Sequence, residues 1–175
     1  NDFSMSVPAK RKAVCQMISD LKKKGIRIDG IGMQSHNGLT WPEMDDYEAS
    51  IEAYAALGCQ VMITELDMNV LPNPESFSGA EVSQSFDYSE KMDPYKNGLP
   101  DDVAQRINER WLEFFKLYKL HRQQISRVTL WGVSDAQSWM NNWPVSGRTA
   151  YALLFDRQYH PKPVIKDIIK LYQQK

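Results

Sequence analysis

The sequence predicts an α/β fold built on a parallel sheet, and three observations predict it. Helix and strand patterns alternate through the 175 residues, in the order helix, strand, helix, strand, helix, strand, helix. The run at 59–63 is apolar except for Gln60, as in a strand buried on both faces. Both long loops follow predicted strands, at the carboxyl end of the sheet, where such folds place their sites.

Pro8 opens a first helix, predicted over 8–24. Ala13, Val14, Met17, Ile18 and Leu21 recur at helical spacing, and Gly25 stops it. Lys22, Lys23 and Lys24 suit its C-terminal dipole end and read as a solvated face. Residues 26–33 are short, β-branched and bounded by glycine, which predicts a strand. Thr40 and Glu43 stand at capping-box spacing before a helix over 42–57, with Tyr47, Ile51, Tyr54 and Leu57 on one side. After the strand at 59–63, residues 69–100 hold Pro72, Pro74, Pro94 and Pro100 among small polar residues. Loops of that length are usually functional or disordered, and Phe77, Phe86 and Tyr88 are available to anchor this one. Asp101 or Asp102 caps a helix to 122, with Val103, Ile107, Trp111, Phe114, Phe115 and Tyr118 inward. Residues 128–131 form a third strand and an aromatic loop covers 134–147. Pro161 and Pro163 introduce a last helix with Ile165, Ile168, Ile169 and Tyr172 on its buried face. So few strands leave both sheet edges open, and the segment reads as the second half of something larger.

Composition narrows the partners. Lys and Arg number 21 against 22 Asp and Glu, a net charge of -1, so no overall field gathers nucleic acid or anionic lipid. No apolar run approaches the roughly 18 residues of a membrane span. Neither nucleic acid nor a membrane is an expected partner. The opening Asn-Asp-Phe-Ser-Met is neither a basic leader nor a start methionine, and reads as beginning mid-protein or after processing. Cys15 and Cys59 make neither a disulfide framework nor metal-ligand spacing. Five Trp and eight Tyr are the less usual numbers. Trp41, Trp131, Trp139 and Trp143 fall in predicted loops or at strand ends, placed to stack on sugars, bases or a protein partner.

Three stretches carry the polar chemistry. Gly-Ile-Gly-Met-Gln-Ser-His at 30–36, Ile-Thr-Glu-Leu-Asp at 63–67 and Leu-Trp-Gly-Val-Ser-Asp at 130–135 each run off a predicted strand. In a parallel sheet those ends lie side by side, which brings Gln34, His36, Glu65, Asp67 and Trp131 to one concave surface. Glu65 following a buried strand needs a partner for its charge, whether its role is catalytic or structural. Asp67 is two residues further and faces the same way if strand geometry persists. His36 can take Asp67 or Glu65 as the hydrogen-bond partner that fixes its tautomer; the plainer reading is a satisfied core histidine. A zinc site from His36, Glu65 and Asp67 is the lesser alternative, and no metal or cofactor is expected. Trp131 and Trp139 are either buried wedges or sugar-stacking rings. Gly30 and Gly32 lack the third glycine and following helix of a phosphate loop.

These motifs together resemble the glycoside hydrolase family 10 xylanases. The stretch at 30–36 is similar to the family's sixth-strand motif, 63–67 to its seventh-strand nucleophile motif, and Trp-Gly-Val-Ser-Asp with the following Ser138-Trp139 to its eighth strand and loop. Leu-Leu-Phe-Asp-Arg-Gln-Tyr-His-Pro-Lys-Pro at 153–163 resembles its closing signature, and the initial Asn-Asp-Phe the end of its fifth strand. The resemblance covers nearly the whole chain in order. It implies the C-terminal half of a (β/α)8 TIM barrel, from the end of strand 5 to helix 8, with residues 1–175 as that portion and the N-terminal half absent.

The resemblance also implies an activity: retaining endo-1,4-β-xylanase, acting on xylan or xylo-oligosaccharides. It makes Glu65 the nucleophile, His36 the histidine that holds it and Asp67 the acid that orients His36. Gln34 becomes a neighbour of the bound sugar, and Trp131 and Trp139 shape the cleft. The family usually has a basic residue soon after Ser-Trp; here Met140-Asn141-Asn142-Trp143 follows, so Asn142 and Arg148 are the candidates for substrate contacts. The acid/base of the family sits in an Asn-Glu pair on the fourth strand, before this chain begins. Asn108-Glu109 is in a predicted helix and is no substitute. The expected partner is therefore the other half of the barrel, in the same chain or another, and the isolated segment is expected to be inactive. The expected location is extracellular, at the cell surface or periplasmic. Two alternatives stay open: a non-catalytic xylan-binding module or scaffold, and a β-1,4-glucanase of similar barrel fold.

Overall fold

The computed structural model describes residues 5–77, 81 and 83–173. The Asn-Asp-Phe stretch matched to a fifth strand lies outside the described residues. The elements run α1 (Pro8–Lys23), β1 (Gly30–Met33), β2 (His36–Gly38), α2 (Met44–Ala56), β3 (Gln60–Asn69), α3 (Asp101–Leu120), β4 (Ile125–Leu130) and α4 (Val164–Gln173), with three short 3-10 turns in the loops. Strands alternating with helices, joined in parallel, form part of a (β/α)8 barrel.

The residues fall into two compact units. One contains residues 1–66 and 116–130; the other contains 67–115 and 131–175. In the first unit, β3 is the central strand. Gly30 to Met33 of β1 pair in parallel with Gln60 to Ile63, and β2 joins the same strand. On β4, Val61 pairs with Ile125, Met62 with Arg127, Ile63 with Val128 and Leu66 with Leu130. Between the last two pairs β3 advances by one residue more than β4, which is a bulge at Thr64-Glu65. A Cβ at Gly30 would lie 2.9 Å from the Met62 Cε, the flexible end of that side chain, and 3.3 Å from the Gln60 carbonyl oxygen.

Helix α2 buries Tyr47, Ser50, Ile51 and Tyr54. The side chains of Ile51 and Tyr54 are fully buried; Ile51 contributes about 1.5–3 kcal/mol by leaving water, and Tyr54 donates its hydroxyl to the Met5 carbonyl at 2.8 Å. Arg11 of α1 clasps this helix, donating from Nη1 to the Asp46 carbonyl at 2.8 Å and Ser50 Oγ at 3.1 Å. Lys22 is not merely solvated, since its Nζ donates to the Leu57 carbonyl at 2.7 Å.

Three expectations need correction. The Thr40 and Glu43 capping box does not form; Glu43 itself is the N-cap, with extended backbone and no side-chain bond to the helix. β3 runs to Asn69 instead of ending at 63, because the bulge lets the ladder continue through the polar Thr64-Glu65 step. The apolar faces of α1 and α4 are only partly covered: Met17 and Ile169 are more than half exposed and Tyr172 nearly so. Tyr172 finds Phe115, with its ring edge-on at 6.4 Å and its hydroxyl 3.3 Å from that residue's carbonyl.

In the second unit Leu71, Met140, Ala150, Ala152 and Leu153 form a small core, flanked by Val70, Tyr95 and Trp139. Leu71 and Tyr95 bring the long loop into it. Asp93 fastens that loop by accepting from Thr149 N at 2.9 Å and Thr149 Oγ1 at 3.3 Å. Tyr151 donates to the Tyr95 carbonyl at 2.9 Å, and Phe86 bridges to Val145. Phe77 packs edge-on against Trp143 at 5.3 Å. Of the expected anchors, Phe77 and Phe86 hold, while Tyr88 is largely exposed with one long bond to Asp93 at 3.5 Å. Asn108 and Glu109 lie within α3, as expected.

Candidate active site

The first unit places Gln34, His36 and Glu65 together. Strand β1 breaks after Met33, and Ser35 turns through the left-handed region at φ 69° before β2 begins at His36. Across this corner the Glu65 N–H donates to the Gln34 carbonyl at 2.9 Å. The His36 Nε2 stands 3.2 Å from Glu65 Oε2. Their side chains are 16% and 14% exposed, enough for a ligand to reach but dry enough to strengthen the contact. A neutral His36 with its proton on Nε2 donates to the carboxylate, and a charged one pairs with it ionically. The bulge at Thr64-Glu65 sets Glu65 at this corner.

Behind the corner is a buried chain of hydroxyls that the sequence reading missed. Ser35 Oγ lies 2.5 Å from Tyr47 Oη, which lies 3.0 Å from Tyr118 Oη. Burial pushes the Tyr47 hydroxyl up to about 12, against the opposing effect of its hydrogen-bonded neighbours, so it remains an O–H group at neutral pH. The sequence did carry a signal for Tyr47 and Tyr118, but only as apolar-face positions on helices. A tyrosine on such a face brings a hydroxyl that must find a partner.

The second unit holds the other candidates. Asp67 is fully buried and accepts from Trp139 Nε1 at 2.7 Å. Trp139 packs on Trp143 with ring centres 5.0 Å apart. Trp131 is 46% exposed, so it is not the buried wedge of the plainer reading, whereas Trp139 is half-buried. Gly132 beside it has φ 140°, and a Cβ there would meet Leu153 Cδ1 at 2.7 Å, so only glycine fits. Asn142 is exposed. Arg148 is instead buried and holds the loop, donating to the carbonyls of Pro72 and Trp143, each at 3.1 Å. Burial lowers its pKa from the ordinary guanidinium value, opposed by Asp93.

Two of the motif stretches meet through a buried ion pair. Lys162 of the 153–163 stretch reaches Asp135 Oδ2 at 2.8 Å, and Asp135 Oδ1 accepts from Leu153 N at 2.9 Å. Burial raises the Asp135 carboxyl and lowers the Lys162 ammonium, and each partner's charge opposes the shift of the other. Metal-ligand geometry arises elsewhere. Among the described residues, Glu48, Glu52 and His121 bring three donor atoms within 4.8 Å, with His121 Nε2 2.7 Å from Glu48 Oε1. No helix among the described residues is long and apolar enough to cross a membrane.

The chain is similar to known proteins in sequence and in fold. The chain is 54% identical over 173 residues to an endo-1,4-beta-xylanase A of Xylanibacter ruminicola, covering 99% of this chain and 47% of that protein. It is 34% identical to an endo-1,4-beta-xylanase of Geobacillus stearothermophilus, covering 98% and 47%. A solved GH10 endoxylanase from a sugarcane soil metagenome superposes with a TM-score of 0.89 at 43% identity, covering 95% of this chain and 48% of its own. The chain thus spans about half the length of the curated relatives it matches. The model of glycosyl hydrolase family 10 matches residues 1–171, and this chain belongs to that family.

Proposed function

We propose that the protein carrying this chain is a retaining endo-1,4-β-xylanase and that Glu65 is its nucleophile. The observation that carries this reading is the His36–Glu65 contact at 3.2 Å, with the carboxylate partly accessible at a strand bulge. In the first step a Glu65 oxygen forms a bond to the anomeric carbon while the glycosidic C–O bond breaks. The leaving oxygen takes a proton from a second carboxyl group. That group, now a base, deprotonates a water, which attacks the anomeric carbon and breaks the bond to Glu65. The sugar leaves with its configuration retained.

His36 holds the Glu65 carboxylate in line, and Gln34 places the sugar. Asp67 is too buried to serve as the second carboxyl and instead holds the Trp139 indole. The acid/base is supplied by the part of the barrel beyond residues 1–175. That part also pairs with the outer sides of β1 and β4, since a barrel closes its edges. Trp131 presents its ring to a xylose unit, and Asn142 contacts substrate. Xylan is too large to cross a membrane, so the enzyme works outside the cytoplasm; recovery of the native protein only from the cytosol would reject that location.

The mechanism is tested by trapping the complete enzyme with a slow-releasing fluorinated xylobioside, followed by peptide mass spectrometry. Label on the peptide containing Glu65 is the expected result. Label elsewhere, or inversion of the product anomer, overturns it.

A further inference from the structure

We propose that Ser35 is a positioning residue, held by the Tyr47–Tyr118 hydroxyl pair, that sets the corner between Gln34 and His36 and through it the approach of His36 to Glu65. Three observations in the first unit carry this. Ser35 adopts φ 69°, a region that disfavours any residue with a Cβ and is taken routinely only by glycine. Its side chain is nonetheless kept, and is buried at 2% exposure with Oγ 2.5 Å from Tyr47 Oη. Both of its neighbours touch Glu65: Gln34 through its carbonyl at 2.9 Å, and His36 through Nε2 at 3.2 Å.

A glycine at this position would take the corner without strain but would leave it free to turn. A serine tied to a buried tyrosine accepts some strain and has one orientation. Tyr47 and Tyr118 are 1% and 2% exposed, on α2 and α3, so the tie reaches two packed helices. Rotation at Ser35 would move the Gln34 carbonyl and the His36 ring together, because both follow from the same backbone dihedrals. The hydroxyl chain therefore acts on Glu65 at one remove. It does not touch substrate.

This inference rests on the role proposed for Glu65, and its test has one arm that does not. Ser35→Gly and Tyr47→Phe are made in the complete enzyme. Each variant is expected to lower kcat about tenfold with KM within about twofold, the sign of a small misplacement at the reacting centre. The double variant is expected to be no slower than the worse single, because both changes cut one link. Independently of activity, the 15N signals of the His36 imidazole, assigned by their loss in His36→Gln, are expected to shift in both variants. If Ser35→Gly does not fold, Tyr47→Phe supplies the same readings. Folded variants with unchanged His36 signals and unchanged kcat would overturn the proposal, as would a lower Tm with the His36 signals of the parent. An inactive parent enzyme would count against the function of Glu65, and the His36 signals would still decide the role of Ser35.

Discussion

The corner at Gln34 to His36 and the loop from Trp131 to Arg148 are held in different ways. At the corner, backbone strands flank Ser35 and a single side-chain tie, Ser35 to Tyr47, pins the turn between them, while the side chains of His36 and Glu65 keep 16% and 14% exposure. In the aromatic loop strand-like pairing is limited to single bridges at Ser134 and Val145, and side chains tie much of the remaining backbone. The Asn141 amide donates to the carbonyls of Asp135 and Ser138 at 2.8 and 2.9 Å and accepts from Ala150 N at 3.0 Å. Arg148 and Asp135 do the same work. A polar side chain in a regular strand is therefore a candidate for chemistry, while one in a long loop first has to be cleared of holding the loop.

The largest expected effect falls on the corner. Glu65→Gln keeps the shape and removes the nucleophilic charge, so turnover of the complete enzyme should fall roughly 10^4-fold or more. Stability should change little, because the amide still meets His36. Steady-state rates with thermal unfolding of the same preparation check both halves. A variant that loses its stability as well would show that the carboxylate is structural and would erase the contrast.

The loop should respond the other way. Lys162→Met leaves the buried Asp135 carboxylate without its cation and should cost about 3–5 kcal/mol of stability in urea unfolding. Adding Asp135→Asn to the same variant should recover much of that loss, since the uncompensated charge goes. No recovery would mean that the pair matters through packing and not through charge.

That difference also explains what was legible in the sequence. The order of elements and the strand-end groups could be read because apolar periodicity and glycine stops are local signals. Gln34, His36 and Glu65 came together because parallel strands align their ends. The bulge at Thr64-Glu65 was invisible, as it depends on the register of β4, which is distant in sequence. Arg148 read as a substrate contact because charge in a loop suggests solvent; only the carbonyls of Pro72 and Trp143 reveal its role. The Ser35–Tyr47–Tyr118 chain joins three elements, and no single stretch announces it.

A smaller effect sharpens the comparison within the loop. Trp139→Phe keeps the ring stack on Trp143 but deletes the N–H that reaches Asp67 at 2.7 Å. A hydrogen bond to a buried carboxylate contributes about 1.5–3 kcal/mol, so unfolding should shift by that amount. Affinity for xylo-oligosaccharides should change less than stability does. A variant with full stability and lost affinity would move Trp139 from the holding residues to the binding ones.

Trp131→Ala is expected to do the least to the fold. The ring is 46% exposed, and the residue beside it, Gly132, takes the close contact with Leu153. Removing the ring therefore opens no sealed cavity, and stability should stay within about 0.5 kcal/mol. Binding should register the loss, because an exposed aromatic face is the group that a sugar ring covers. Aromatic contacts contribute about 0.5–1.5 kcal/mol, which corresponds to a rise in KM for xylo-oligosaccharides of up to roughly tenfold. Trp131→Phe should restore most of it by keeping a flat face. Isothermal titration of the complete enzyme carrying Glu65→Gln, with and without Trp131→Ala, reads binding without turnover. Equal affinities in the two would remove Trp131 from the substrate contacts and leave an exposed ring with no ligand.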